Sequence, residues 1–174
     1  MRNTVWNYLH LWRVNFNYYD RCRHEMERLN SVLKFGSAFV TMVAIACWGY
    51  FPKQSLLWAG LITLTQVTSL YAECTDLSGK ILRLNYWSED AYKTINKITS
   101  LWDEVDELSD HEIRKRMDEL RDEWSALDAR FIRGINPYKG KVLEKAEEEA
   151  DDFLKVVHIA NHGSNDEKQE EVVL

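Results

Sequence analysis

"CWGYFPKQSLLWAG", Cys47–Gly60, joins two apolar stretches through Gly49, Pro52 and a single lysine. Either it turns between two helices of a soluble core, or it is the tip of a hairpin that crosses a membrane. The flanks decide between these. Phe35–Phe51 (FGSAFVTMVAIACWGYF) and Ser55–Ala72 (SLLWAGLITLTQVTSLYA) are 17 and 18 residues long, and Lys53 is the only charge between Phe35 and Ala72. A hydrocarbon core about 30 Å thick takes helices of roughly 17–25 residues. A charge at the centre of such a helix costs about 2.5–3.5 kcal/mol, and neither stretch carries one. A soluble helix of this length needs a solvated face. Neither stretch has one, and a chain of 174 residues has too little interior to surround two helices on all sides. Cys47–Gly60 therefore reads as the wet tip of a transmembrane hairpin. Gly49 and Pro52 stop the helix, and Lys53 and Gln54 face water. Trp48, Tyr50, Phe51 and Trp58 fall at one depth, as in an interfacial aromatic belt.

A mean hydropathy of −0.42 hides three blocks. Met1–Lys34 carries six bases and three acids, the middle is neutral, and Thr75–Leu174 carries 24 acids against 15 bases. Arg21, Arg23, Arg28 and Lys34 precede the first span, and Lys80 and Arg83 follow the second. By the positive-inside rule both termini face the cytoplasm and Lys53 lies outside. The N-terminus lacks the early apolar run of a cleavable signal peptide. Cys22, Cys47 and Cys74 are too scattered for a disulfide framework.

Outside the neutral block the apolar residues recur every three or four positions, the period of a helix face. Val5, Leu9, Trp12, Phe16, Tyr19, Met26, Leu29 and Leu33 predict one long helix running into the first span, its aromatics either packed or lying on the membrane surface. After the second span a helix is expected through Leu77–Leu84. Ser88, followed by Glu89 and Asp90, then reads as a new N-cap ahead of Ile95, Ile98, Trp102, Val105 and Leu108. Ser109 with Glu112 matches a capping box. It precedes the heptad-spaced seam Ile113, Met117, Leu120, Trp124, Leu127 and Phe131. Gly134 ends that helix, and Asn136 and Pro137 start the next as N-cap and N1. No run alternates at period two, so no strand is predicted. The expected fold is an all-α membrane protein. Its parts are an N-terminal amphipathic helix (1–34), a two-helix transmembrane hairpin (35–73), a cytoplasmic helical bundle (74–162) and an acidic tail without structure (163–174).

No pattern of catalysis stands out. "HEMER", His24–Arg28, lacks the second histidine of a zinc-protease helix. His158 and His162 are two metal ligands at most, and no catalytic residue, metal or cofactor is expected. Two features remain. In the spans, Ser37, Thr41 and Ala44 share one face, and Ala59, Thr63, Gln66 and Ser69 share another. These residues either let helices pack closely or line a water-filled pathway, which one hairpin cannot enclose without further copies. The second feature is the loop RFIRGINPYKGK, Arg130–Lys141, in an otherwise acidic block. Arg130, Arg133, Lys139 and Lys141, with Tyr138, surround a helix N-terminus. They form either a tight turn or a phosphate-binding site. In that site Arg114, Lys115, Arg116 and Arg121 of the preceding helix would add to the field.

The order of an amphipathic helix, the spans SVLKFGSAFVTMVAIACWGY and SLLWAGLITLTQVTSLYAE, and a helical cytoplasmic region resembles the SLATT family of bacterial two-transmembrane effectors. The resemblance covers roughly Trp6–Ile159. It implies an oligomeric membrane effector of anti-phage defence that permeabilises the membrane as a pore or ion channel and arrests growth. The implied gate is a nucleotide or oligonucleotide signal made by a partner nucleotidyltransferase. The polar faces and the seam also ask for a homo-oligomer, here expected as a ring of four. The competing reading is a non-conducting, membrane-anchored helical scaffold.

Overall fold

The computed structural model describes residues 1–50, 53, 55–135 and 140–170, without the side chains of 49, 50, 55 and 157–170. The tip residues Phe51, Pro52 and Gln54, and Asn136–Lys139 of the basic loop, lie outside the described residues. Among those described there is no strand, as the absence of period-two runs predicts. The helices are α1 (Arg2–Tyr50), α2 (Ser55–Cys74), α3 (Leu77–Asp103), α4 (Asp110–Leu127) and α5 (Lys141–Glu170), with a π-helical turn at Asp128–Ile132 after α4.

α1 is a single helix of 49 residues, as the uninterrupted stripe predicts. Two compact units divide the chain: Met1–Cys22 with Leu84–Leu174, and Arg23–Arg83.

The first unit is built around tryptophan. Val5, Leu9 and Trp12 of α1 are buried with Trp87, Ile95, Ile98 and Trp102 of α3 and with Ile113, Met117, Leu120 and Trp124 of α4. The Trp12 and Trp124 rings stack at 4.9 Å with 3° between planes, and Trp87 meets Trp124 edge-on at 5.7 Å. Stacked and edge-to-face pairs add roughly 0.5–1.5 kcal/mol each beyond area burial. The N-terminal aromatics are thus packing residues. Around this core the charges pair at the surface: Arg2 with Asp106 at 2.9 Å, His10 with Asp151 at 2.9 Å, and Arg21 with Glu149. Exposed pairs of this kind stabilise by about 0–1 kcal/mol each. They fix register more than they add stability.

Two local expectations change. Ser88 is not a cap: α3 runs unbroken from Leu77 to Asp103, because Leu84, Trp87 and Ala91 keep one buried face across that point. The break falls earlier, where Asp76 takes φ +47. α5 is described from Lys141, after Gly140 at φ +96; the expected N-cap and N1, Asn136 and Pro137, lie outside the described residues. Finally, the backbone of α5 stays helical to Glu170, where an unstructured acidic tail was expected from Gly163; the end of that stretch, Glu167–Glu170, consists of good helix formers. The Ser109–Glu112 capping box forms as predicted, with Ser109 N donating to Glu112 Oε2 at 3.0 Å and Glu112 N to Ser109 Oγ at 3.3 Å. Gly134, at φ +82, stands beyond the end of the α4 helix.

Candidate functional site: an apolar surface and a basic loop

In the Arg23–Arg83 unit the usual arrangement of side chains is reversed. Phe35, Phe39, Met42, Ile45 and Trp48 of α1 are more than half exposed, as are Leu56, Leu64, Val67, Leu70 and Tyr71 of α2. Leu56 reaches 89%. Full burial of one such side chain contributes roughly 1.5–3 kcal/mol, and monomeric soluble proteins rarely leave contiguous patches beyond a few hundred Å². Among the described residues one helix, α1, is long and apolar enough to cross a membrane, and its most apolar stretch is only 6% buried.

Polar groups in this unit turn inward or back on themselves. Thr41 Oγ1 lies 2.8 Å from Ser37 O and 3.2 Å from Thr65 Oγ1, and Thr65 is buried. Lys34 Nζ reaches Ser78 Oγ at 3.4 Å. The Lys34–Ser78 contact encloses the Thr41–Thr65 contact in sequence, as between antiparallel neighbours. Ser37, Thr41 and Ala44 therefore lie on the side of α1 that meets α2. Thr63 and Gln66 are exposed on α2, whereas Ser69, one turn from the buried Thr65, lines a cavity together with Ser37 of α1. Thr63 and Ser69 donate to the carbonyls of Ala59 and Thr65 in their own helix, at 2.9 and 3.0 Å. The five candidate pathway residues thus fall on two different faces.

The basic loop is described in part. Arg130, Arg133 and Lys141 are exposed; Tyr138 and Lys139 lie outside the described residues. The Arg130 guanidinium sits over the Phe131 ring at 4.8 Å. On α4, Arg116 pairs with Glu104 at 2.7 Å, and Arg121 lies 3.5 Å from Asp118 and over the Tyr8 ring. Local acids thus offset part of the positive field these bases were expected to add. No metal-holding group of histidine, cysteine, aspartate or glutamate occurs among the described residues.

The seam of α4 also changes meaning. Ile113, Met117, Leu120, Trp124 and Phe131 are buried in the chain's own core, so they need no second copy.

Sequence reasoning missed Asp128. Its half-buried carboxylate accepts from Trp87 Nε1 at 3.0 Å, against the aromatic cluster. Burial pushes the carboxyl above its ordinary value, against the indole hydrogen bonds of Trp87 and Trp124 that favour the charged form. The one sequence signal was its spacing of four from Trp124.

Compared with family models, characterised proteins and solved structures, the chain matches none.

Proposed function

We propose that this chain is a two-pass membrane protein whose neutral block, Phe35–Ala72, forms a transmembrane hairpin. Its termini are cytoplasmic, and its copies assemble into a conducting effector gated by a nucleotide or oligonucleotide from a partner nucleotidyltransferase. The exposed apolar surface of the Arg23–Arg83 unit carries the membrane part. In water it forfeits the burial energy of most of its large side chains, and in hydrocarbon that penalty vanishes. The pore rests on Thr63 and Gln66, which are exposed on α2. Gln66 in particular brings an amide to the middle of an apolar segment, where it needs a polar partner or water. A ring of four subunits supplies eight such helices. The resemblance to SLATT effectors supplies the defence context and the signal.

A second reading is a non-conducting anchor for the helical bundle. It is favoured by the Thr63 and Ser69 hydroxyls, which are satisfied within α2 and so need no water column.

Ion flux separates the two readings. Full-length protein reconstituted into liposomes should release an entrapped dye once deregulated, and Gln66→Leu should lower the rate by roughly tenfold or more, since one lost polar partner shifts an equilibrium by about that factor. Insertion without flux under every condition selects the anchor. The ligand part has its own test. Replacing Arg133, Lys139 and Lys141 together with Ala should weaken binding of short oligonucleotides and flatten its salt dependence. An unchanged salt slope makes the loop only a turn.

A further inference from the structure

A cavity of about 380 Å³ opens among α1, the end of α2 and the start of α3, wholly inside the Arg23–Arg83 unit. Leu33, Ala72 and Leu77 give it an apolar lining, and polar groups of opposite character share its walls. The Glu73 carboxylate makes no ion pair or hydrogen bond among the described residues. Asp76 is offset by Arg83 at 3.7 Å. Lys34 turns its ammonium to Ser78 Oγ at 3.4 Å and not to Glu73, although both line the same space. The cavity therefore offers one cation and one anion without a charged partner, with room for roughly ten waters.

We propose that this cavity binds a phosphoethanolamine group, the headgroup of a phosphatidylethanolamine lipid. The phosphate lies against Lys34 and Ser78, and the primary ammonium donates to the Glu73 carboxylate. An ammonium carries three N–H donors for that carboxylate. A choline headgroup has none. The lipid source follows from position. Lys34 is the last charge before the neutral block and Glu73 the first after it, so both lie at headgroup depth on the cytoplasmic side of the proposed hairpin. This inference rests on that membrane reading.

The test uses the full-length protein in detergent, titrated with phosphatidylethanolamine or phosphatidylcholine of matched chains and read by native mass spectrometry. The parent should prefer the ethanolamine lipid by about tenfold. Glu73→Gln should bring the two lipids close to parity, and Lys34→Met should weaken both alike because both carry the phosphate. Equal binding of the two lipids by the parent overturns the proposal, whatever the variants do. Free O-phosphoethanolamine competing at the concentration of the lipid would overturn the lipid assignment and give the site to a soluble ligand. Flotation with liposomes runs alongside. A parent that fails to float overturns the membrane reading, whereas one that floats but ignores headgroup chemistry overturns only this site.

Discussion

Asp128 shows how one side chain ties the tryptophan core to the end of α4. Two indole N–H groups point at its carboxylate, and the Trp87 bond is 3.0 Å long. Asp128→Ala leaves those donors unpaired in a half-buried place, so it should cost about 1–3 kcal/mol. Asp128→Asn keeps an acceptor oxygen and removes the buried charge. The folded-state carboxyl titrates above its ordinary value of 3.8, so the native state holds the proton more tightly than the unfolded chain does. The ionised form then subtracts from stability at neutral pH, and acidification through the raised value relieves the penalty. Asp128→Asn should therefore equal or exceed the parent at pH 7, and that margin should shrink as pH falls toward 4. Urea unfolding followed by tryptophan fluorescence at the two pH values reads both effects. Apart from the spacing of four from Trp124, none of this was legible in the sequence. Asp128 resembles its many acidic neighbours there, its partner Trp87 is 41 residues away, and the π-helical turn that sets its direction has no local signature.

At the scale of elements, features written within four residues were readable, and features decided by packing were not. The capping box is of the first kind. Ser109 followed by Glu112 forms the reciprocal bonds its spacing predicts. Ser109→Ala should cost about 1 kcal/mol, seen as a lower thermal midpoint for the helical signal. The Glu112 carboxyl is held below its ordinary value by its bonds to Ser109, so the box is complete at neutral pH and is lost as pH falls through the lowered value. The difference between Ser109→Ala and the parent should narrow in acid, and an undiminished difference would mean that Glu112 takes no part. Ser88 is of the second kind. It has the sequence of a cap, yet α3 passes through it because Trp87 and Ala91 on either side are fully buried, and tertiary burial outweighs a local capping preference. The α4 seam follows the same logic. Its spacing was readable, but the partner that covers it is the chain's own α1, which no heptad count reveals.

For the molecule as a whole, two surfaces of opposite chemistry share one chain. The unit of Met1–Cys22 and Leu84–Leu174 buries its tryptophans and exposes its charges, as a water-soluble bundle does. The Arg23–Arg83 unit exposes Phe35, Phe39, Met42 and Leu56 and keeps Thr65 and Ala44 inside, as a helix pair in hydrocarbon does. The sequence foretold this contrast because charge density changes abruptly at Lys34 and Glu73. The two-pass topology makes the sharpest claim. Arg21, Arg23, Arg28 and Lys34 flank one end of the neutral block and Lys80 and Arg83 the other, whereas the segment between the spans holds Lys53 alone. Because bases are retained on the cytoplasmic side, both ends should stay in and Lys53 should go out. A Lys53→Cys variant, in a background with Cys22, Cys47 and Cys74 replaced by Ser, should react with a membrane-impermeant maleimide in intact cells. A cysteine placed near the C-terminus should react only after the membrane is opened. Labelling at the C-terminal position in intact cells, with position 53 protected, reverses the orientation. Labelling of both without opening the membrane means the chain does not cross it as a hairpin, and the exposed apolar surface must then be covered by protein instead of lipid.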